Sequence, residues 1–240
     1  MIYNITPLTF GTMGTRNGDL IAIINIICYH RKKMNDPELQ FHFLPGSTNK
    51  EDYIHKFRDF LMDNTDYFSP FPGEKDWPWK HVGVWDYRDI SGDHAIIYNN
   101  RKAEKKVVVF PLYDASYNVQ RNWSEDCLNG ILKECNEKYP DYEKLLCSMH
   151  TPPPGFNTQG FKVSTDFITN IEHIMTAEVF YGGDTGVSHL ASVLEPGPKE
   201  LNYYYGSHCM IHTIPFYYLS ERKGNLKTFW LDFPPESIWE

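Results

Sequence analysis

The stretch DFITNIEHIMTAEVFYGGDTGVSHLASVL, residues 166–194, decides the fold. Apolar residues at 167, 168, 171, 174 and 175 recur at helical spacing, so Asp166 to Thr176 reads as a helix. Glu178 to Tyr181 then reads as a strand, and Thr185 to Leu194 as a second helix. Between them Gly-Gly-Asp-Thr-Gly turns the chain sharply. Helix, strand and helix in this order form part of a parallel sheet with crossover helices.

The same alternation runs outward in both directions. Upstream, KVVVF at 106–110 is a continuous apolar strand of the kind buried in a parallel sheet. Ser124 to Tyr139 follows as a helix, with Ser124 as N-cap and Glu125 and Asp126 in its first turn. Lys144 to His150 is a further strand, and Leu201 to Tyr205 is expected to be the last one. Nearer the N-terminus, Ile2 to Phe10 is a strand, Asp19 to Lys33 a helix, Gln40 to Leu44 a strand and Glu51 to Met62 a helix. The helix from Asp19 ends on Arg31-Lys32-Lys33, as the helix dipole favours. Residues 64–93 read as irregular and carry Trp77, Trp79 and Trp85. The strand His94 to Tyr98 and the polar run 99–105 lead into the second half. The expected organisation is α/β with mostly parallel sheets: a half at 1–104, a half at 105–220, and a tail at 221–240 returning to the first half.

Composition narrows the functional classes. The chain has 240 residues, 41% hydrophobic and 15% aromatic, enough for a packed core. No apolar run is long enough for a membrane span, and no signal-peptide pattern opens the chain, so a cytoplasmic protein is expected. A formal charge of −8 disfavours a generic phosphate-backbone binder. The five cysteines form no CxxC pair and read as reduced, mostly buried thiols. Neither a metal nor another cofactor is expected.

Parallel sheets bind ligands beyond the carboxyl ends of their strands, where the loops 11–18, 111–122 and 182–185 fall. At the last of these, Thr185, Gly186, Val187 and Ser188 would offer backbone amides at a helix N-terminus, an anion site suited to a diphosphate. Asp184 could accept hydrogen bonds from sugar hydroxyls or simply shape the turn. His189, one turn in, is more often a packing residue in such a position.

The run Asp184-Thr-Gly-x-x-His189-Leu-Ala191 resembles the donor-site signature of the ADP-heptose lipopolysaccharide heptosyltransferase family, a group of GT-B glycosyltransferases. Val187 stands where that family has proline, and the acidic ribose contact after the next strand has no counterpart. Two further segments add to the resemblance. In VVVFPLYDASYNVQRNWSED, residues 107–126, Arg121 and Trp123 match a basic residue and Trp that open a helix. In GTMGTRNGDLIAI, residues 11–23, Gly18-Asp19-Leu20 matches the start of the first helix. The chain is about a hundred residues shorter than is usual in that family.

The resemblance implies a GT-B-like enzyme of two Rossmann-type halves facing a cleft. It would transfer a sugar from a nucleotide-sugar donor, a substrate and not a cofactor, without a metal. Asp19 would be the general base, with helix capping as its structural alternative. Arg121 would hold donor phosphate, and Asp184, Thr185, Gly186, Val187, Ser188 and His189 would complete the donor side. Gly14, Thr15, Arg16, Trp77 and Trp79 are the acceptor-side candidates.

The first 104 residues hold 12 basic and 14 acidic side chains, the remainder 11 and 17, so the nearly neutral half would be the acceptor half. Compact length and abundant Tyr, Asn and Lys give the chain the character of a tailed-bacteriophage protein. That suggests DNA modification at a hydroxymethylated pyrimidine in the host cytoplasm. A saccharide or lipopolysaccharide acceptor and a non-catalytic nucleotide-sugar-binding module are the alternatives. Oligomeric state, sugar and nucleotide are left open.

Overall fold

A computed structural model describes residues 3–5, 17–43, 52–70, 80–81, 95–113, 121–205 and 224–230. The chain divides into two compact units, residues 1–98 and 99–240.

The first unit contains β1 (Tyr3–Ile5), α1 (Asn17–Met34), β2 (Phe41–Phe43), α2 (Asp52–Asn64), β3 (Phe68–Pro70), β4 (Lys80–His81) and β5 (Ile97–Tyr98). Four strands form a sheet in the order β3-β2-β1-β4, all parallel. Helix α1 buries Leu20, Ile21, Ile23, Ile24, Ile26 and Ile27 almost completely, which accounts for the apolar run in its sequence. Asn25 interrupts that run for a reason. It is fully buried, and its Oδ1 accepts a hydrogen bond from the Ala95 amide at 3.1 Å, satisfying a backbone donor 70 residues away. At the other end of the helix Arg31 ties down the following loops. Its Nε donates to the Leu39 carbonyl at 2.8 Å, and its Nη1 to Asp66 at 3.0 Å. The region expected to be irregular, 64–93, contains β3 and β4. Both are too short to carry an alternation that sequence reading detects.

The second unit contains β6 (Glu104–Phe110), α3 (Glu125–Lys138), β7 (Glu143–Cys147), β8 (Lys162–Ser164), α4 (Phe167–Thr176), β9 (Ala177–Gly183), α5 (Gly186–Val193), β10 (Leu194–Glu195), β11 (Glu200–Tyr205) and β12 (Leu226–Trp230). Six strands form a parallel sheet in the order β8-β7-β6-β9-β11-β12. Numbered within this sheet, that order is 3-2-1-4-5-6, the order of doubly wound nucleotide-binding sheets. The strand residues Val107, Val109, Leu146, Val179 and Tyr181 pack against Leu128, Ile131, Leu132 and Cys135 of α3.

Each of the three helices begins on a side-chain cap. Ser124 accepts from the Cys127 amide, Asp166 from Thr169 and Thr185 from Ser188. Among the described residues Cys28, Cys127, Cys135 and Cys147 form no disulfide, and burial pushes the Cys135 and Cys147 thiols up to about 12. No described helix is long and apolar enough to cross a membrane.

The described part of the tail departs from the expected return to the first half. Residues 226–230 do not join the first unit but add β12 to the second unit's sheet, pairing Leu201 with Leu226 through Tyr205 with Trp230. Thus β11 is not the last strand. The sequence LKTFW lacks strict alternation and follows a segment with no turn signal of its own beyond Gly224-Asn225, which hides it.

Gly182 fixes the seat of α5 on the sheet. A Cβ there would lie 2.6 Å from Ser188 Oγ and would also overlap the Phe180 ring. Gly182→Ala should therefore lower stability by about 1–3 kcal/mol through overpacking, read as a fall in the urea midpoint. An unchanged midpoint would show that the Phe180 ring and α5 both yield to the added methyl group without cost.

Candidate functional site at the strand-order reversal

In the six-stranded sheet β6 and β9 are neighbours, and their connections leave in opposite directions: β6 leads through α3 to β7, β9 through α5 to β11. Such a reversal opens a crevice beyond the carboxyl ends of the two strands. Phe110 at the end of β6 lies in register with Gly182 on β9. The chain leaving β6 is closed back on itself by a 2.6 Å hydrogen bond from the Trp123 amide to the Leu112 carbonyl. This holds Arg121 at the end of β6. Asp184 follows directly on the end of β9.

The two side chains meet. Arg121 Nε stands 3.1 Å from Asp184 Oδ2 as an ion pair. The Asp184 side chain is 4% exposed and that of Arg121 16%. Burial pushes the Asp184 carboxyl above its ordinary value, against the pull of the guanidinium. The native state therefore holds that proton more tightly than the unfolded chain does. The contribution of Asp184 to stability falls as pH rises from its ordinary value through the raised one. Sequence reading expected Arg121 and Asp184 as separate contacts, one to phosphate and one to sugar. The structure joins them, and makes Asp184 the group that holds Arg121.

The N-terminus of α5 adds backbone donors. Ser188 donates its amide to the cap, 3.1 Å from Thr185 O and 3.4 Å from Thr185 Oγ1. The His189 amide reaches Thr185 O at 3.2 Å. The helix geometry leaves Gly186 and Val187 N–H without an intrahelical acceptor. Of the expected amides from Thr185 to Ser188, that of Ser188 is taken by the cap. Ser188 Oγ turns inward to Gly183 O at 2.5 Å. The side chains of Val187, Ser188 and His189 are all buried.

On the opposite face of β9, the Trp123 indole covers Gly183. A Cβ on Gly183 would stand 3.0 Å from Trp123 Nε1. That indole nitrogen is buried with no hydrogen-bond partner among the described residues. Sequence reading noted Trp123 but not this fit, which depends on β9 and the loop after β6 being neighbours in space.

The other candidates belong to residues 1–98. Asp19 lies in α1, which spans Asn17–Met34. Gly14, Thr15, Arg16, Trp77 and Trp79 lie outside the described residues. Among the described residues no three His, Cys, Asp or Glu side chains gather as a metal site. The sequence does contain one His-x-x-x-His spacing, His208 and His212, a signal passed over in sequence reading and lying outside the described residues.

The pair can be tested by a double-mutant cycle at pH 7. Arg121→Ala strands a buried carboxylate and should cost about 3–5 kcal/mol. Adding Asp184→Leu should restore most of that loss, because the unpaired charge is gone. Additive losses in urea denaturation would dissolve the pair. No protein-family model matches this chain, and no curated protein or solved structure matches it either.

Proposed function

We propose that the chain is a nucleotide-sugar-dependent glycosyltransferase of GT-B-like organisation, with residues 1–98 and 99–240 as its two halves. The observation that carries this reading is the meeting of Arg121, Asp184 and the α5 N-terminus at the reversal of a 3-2-1-4-5-6 sheet. A cation paired with a buried carboxylate, next to the backbone amides of a helix N-terminus, suits the diphosphate of a nucleotide sugar.

In the proposed reaction the acceptor oxygen attacks the anomeric carbon of the donor sugar. The Asp19 carboxylate takes the proton of that hydroxyl. The bond from the anomeric carbon to the phosphate oxygen breaks, and its electron pair leaves with the nucleoside diphosphate. Arg121 and the Gly186 and Val187 amides stabilise the charge that develops there. Arg121, paired with Asp184 at 3.1 Å, carries a planar guanidinium suited to bidentate contact with phosphate oxygens. The acceptor is an alcohol, and a hydroxymethylated pyrimidine of phage DNA is the first to try.

Two variants test this in different steps. Arg121→Lys keeps a cation for Asp184 but loses the planar fork. Nucleoside diphosphate affinity by calorimetry should fall about tenfold, the scale of a charge-assisted hydrogen bond. Asp19→Asn should leave folding and donor binding nearly normal and slow single-turnover transfer by about two to four orders of magnitude. Full transfer activity in Asp19→Asn would remove the base assignment. Transfer to DNA should fall steeply with salt, whereas salt-insensitive transfer to a glycan would point to a saccharide acceptor.

A further inference from the structure

We propose that a row of aromatic rings running outward from the anion site is a stacking platform for the nucleobase. This rests on the nucleotide reading above. Gly183, Tyr204 and Phe229 lie side by side on β9, β11 and β12 in direct register. Tyr203, the preceding residue, sends its hydroxyl to Ser188 O at 2.7 Å beneath α5. Tyr204 therefore faces the other side of the sheet, where Trp123 covers Gly183. Trp123 and Tyr204 have ring centroids 5.2 Å apart, and Tyr204 and Phe229 lie 4.6 Å apart and nearly parallel at 15°.

The row starts beside Asp184 and ends on Phe229, which is 38% exposed despite being wholly apolar. Two strand spacings separate its ends, about 10 Å. That matches the step from a diphosphate across a ribose to a base. Phe229 is backed on one side by Tyr204, so its ring is held in a fixed plane with π surface still in reach of solvent. Stacking on such a surface accepts any base and favours the larger ring system. The site should thus prefer purine over pyrimidine nucleotides by contact area and without base-edge hydrogen bonds.

The test is titration calorimetry of the full chain with ADP, UDP and inorganic pyrophosphate. ADP should bind more tightly than UDP, and both more tightly than pyrophosphate. Phe229→Ala should weaken ADP about tenfold, weaken UDP less, and leave pyrophosphate unchanged. Phe229→Leu keeps an apolar cover on Tyr204 but no π face, and should behave like Phe229→Ala; it carries the comparison if the alanine variant does not fold. Phe229→Trp should bind ADP at least as well as the parent. Unchanged ADP affinity in folded Phe229→Ala and Phe229→Leu would overturn the platform. So would ADP binding no tighter than pyrophosphate where pyrophosphate still responds to Arg121→Lys, and in that case the anion site would stand. Failure of the parent chain to bind pyrophosphate or either nucleotide would overturn both readings together.

Discussion

Two consecutive residues without side chains end β9, and each clears one face of the sheet. Gly182 opens the face on which α5 sits, and Gly183 opens the face on which the Trp123 indole lies. Adding a methyl group to the first pushes against Ser188, and to the second against Trp123. Helix α5 can thus begin immediately after the strand, and the loop from β6 can close tightly over it. Both Asp184 and Arg121 owe their positions to those two approaches. A bulkier pair would still form a strand, but it would separate the groups that make the crevice polar.

The ion pair that results is costly to keep. Asp184 is almost wholly removed from water, and burial alone would favour its neutral form. Arg121 opposes that cost without erasing it, because the contact is an ion pair at 3.1 Å and its Nε is not aligned for a hydrogen bond. A structural pair placed only for stability would gain from apolar replacement, as buried pairs often do. Its location at the strand-order reversal, beside the α5 amides, is what favours a binding role.

Much of the frame was legible in the sequence for local reasons. The N-caps Ser124, Asp166 and Thr185 stand where cap residues precede helical spacing, and the KVVVF run reads as a buried parallel strand. The short strands β3, β4 and β8 and the edge strand β12 were not legible, because two to five residues carry too little periodicity. At the site, residue identity was legible but partnership was not. Arg121 and Asp184 are 63 positions apart in the chain, and only the neighbouring of β6 and β9 brings them together. Phe229 gave no signal at all, since its meaning comes from standing in register with Tyr204 and Gly183.

The run Tyr203-Tyr204-Tyr205 shows how closely that register must be held. A slip of one residue moves every side chain of a strand to the opposite face. Here the slip would exchange one tyrosine for another, so the tyrosines cannot specify the pairing themselves. The start of β11 does so. Lys199 N–H bonds Glu178 O at 2.8 Å, and Leu201 N–H bonds Asn225 O at 2.7 Å, fixing β11 to both neighbours before the tyrosines begin. Leu201 and Asn202 are both buried, and a slip would send the amide of Asn202 into the place of Leu201. The apolar and polar pair at 201–202 thus determines which tyrosine supports α5 and which joins the aromatic row, although neither residue touches the crevice itself.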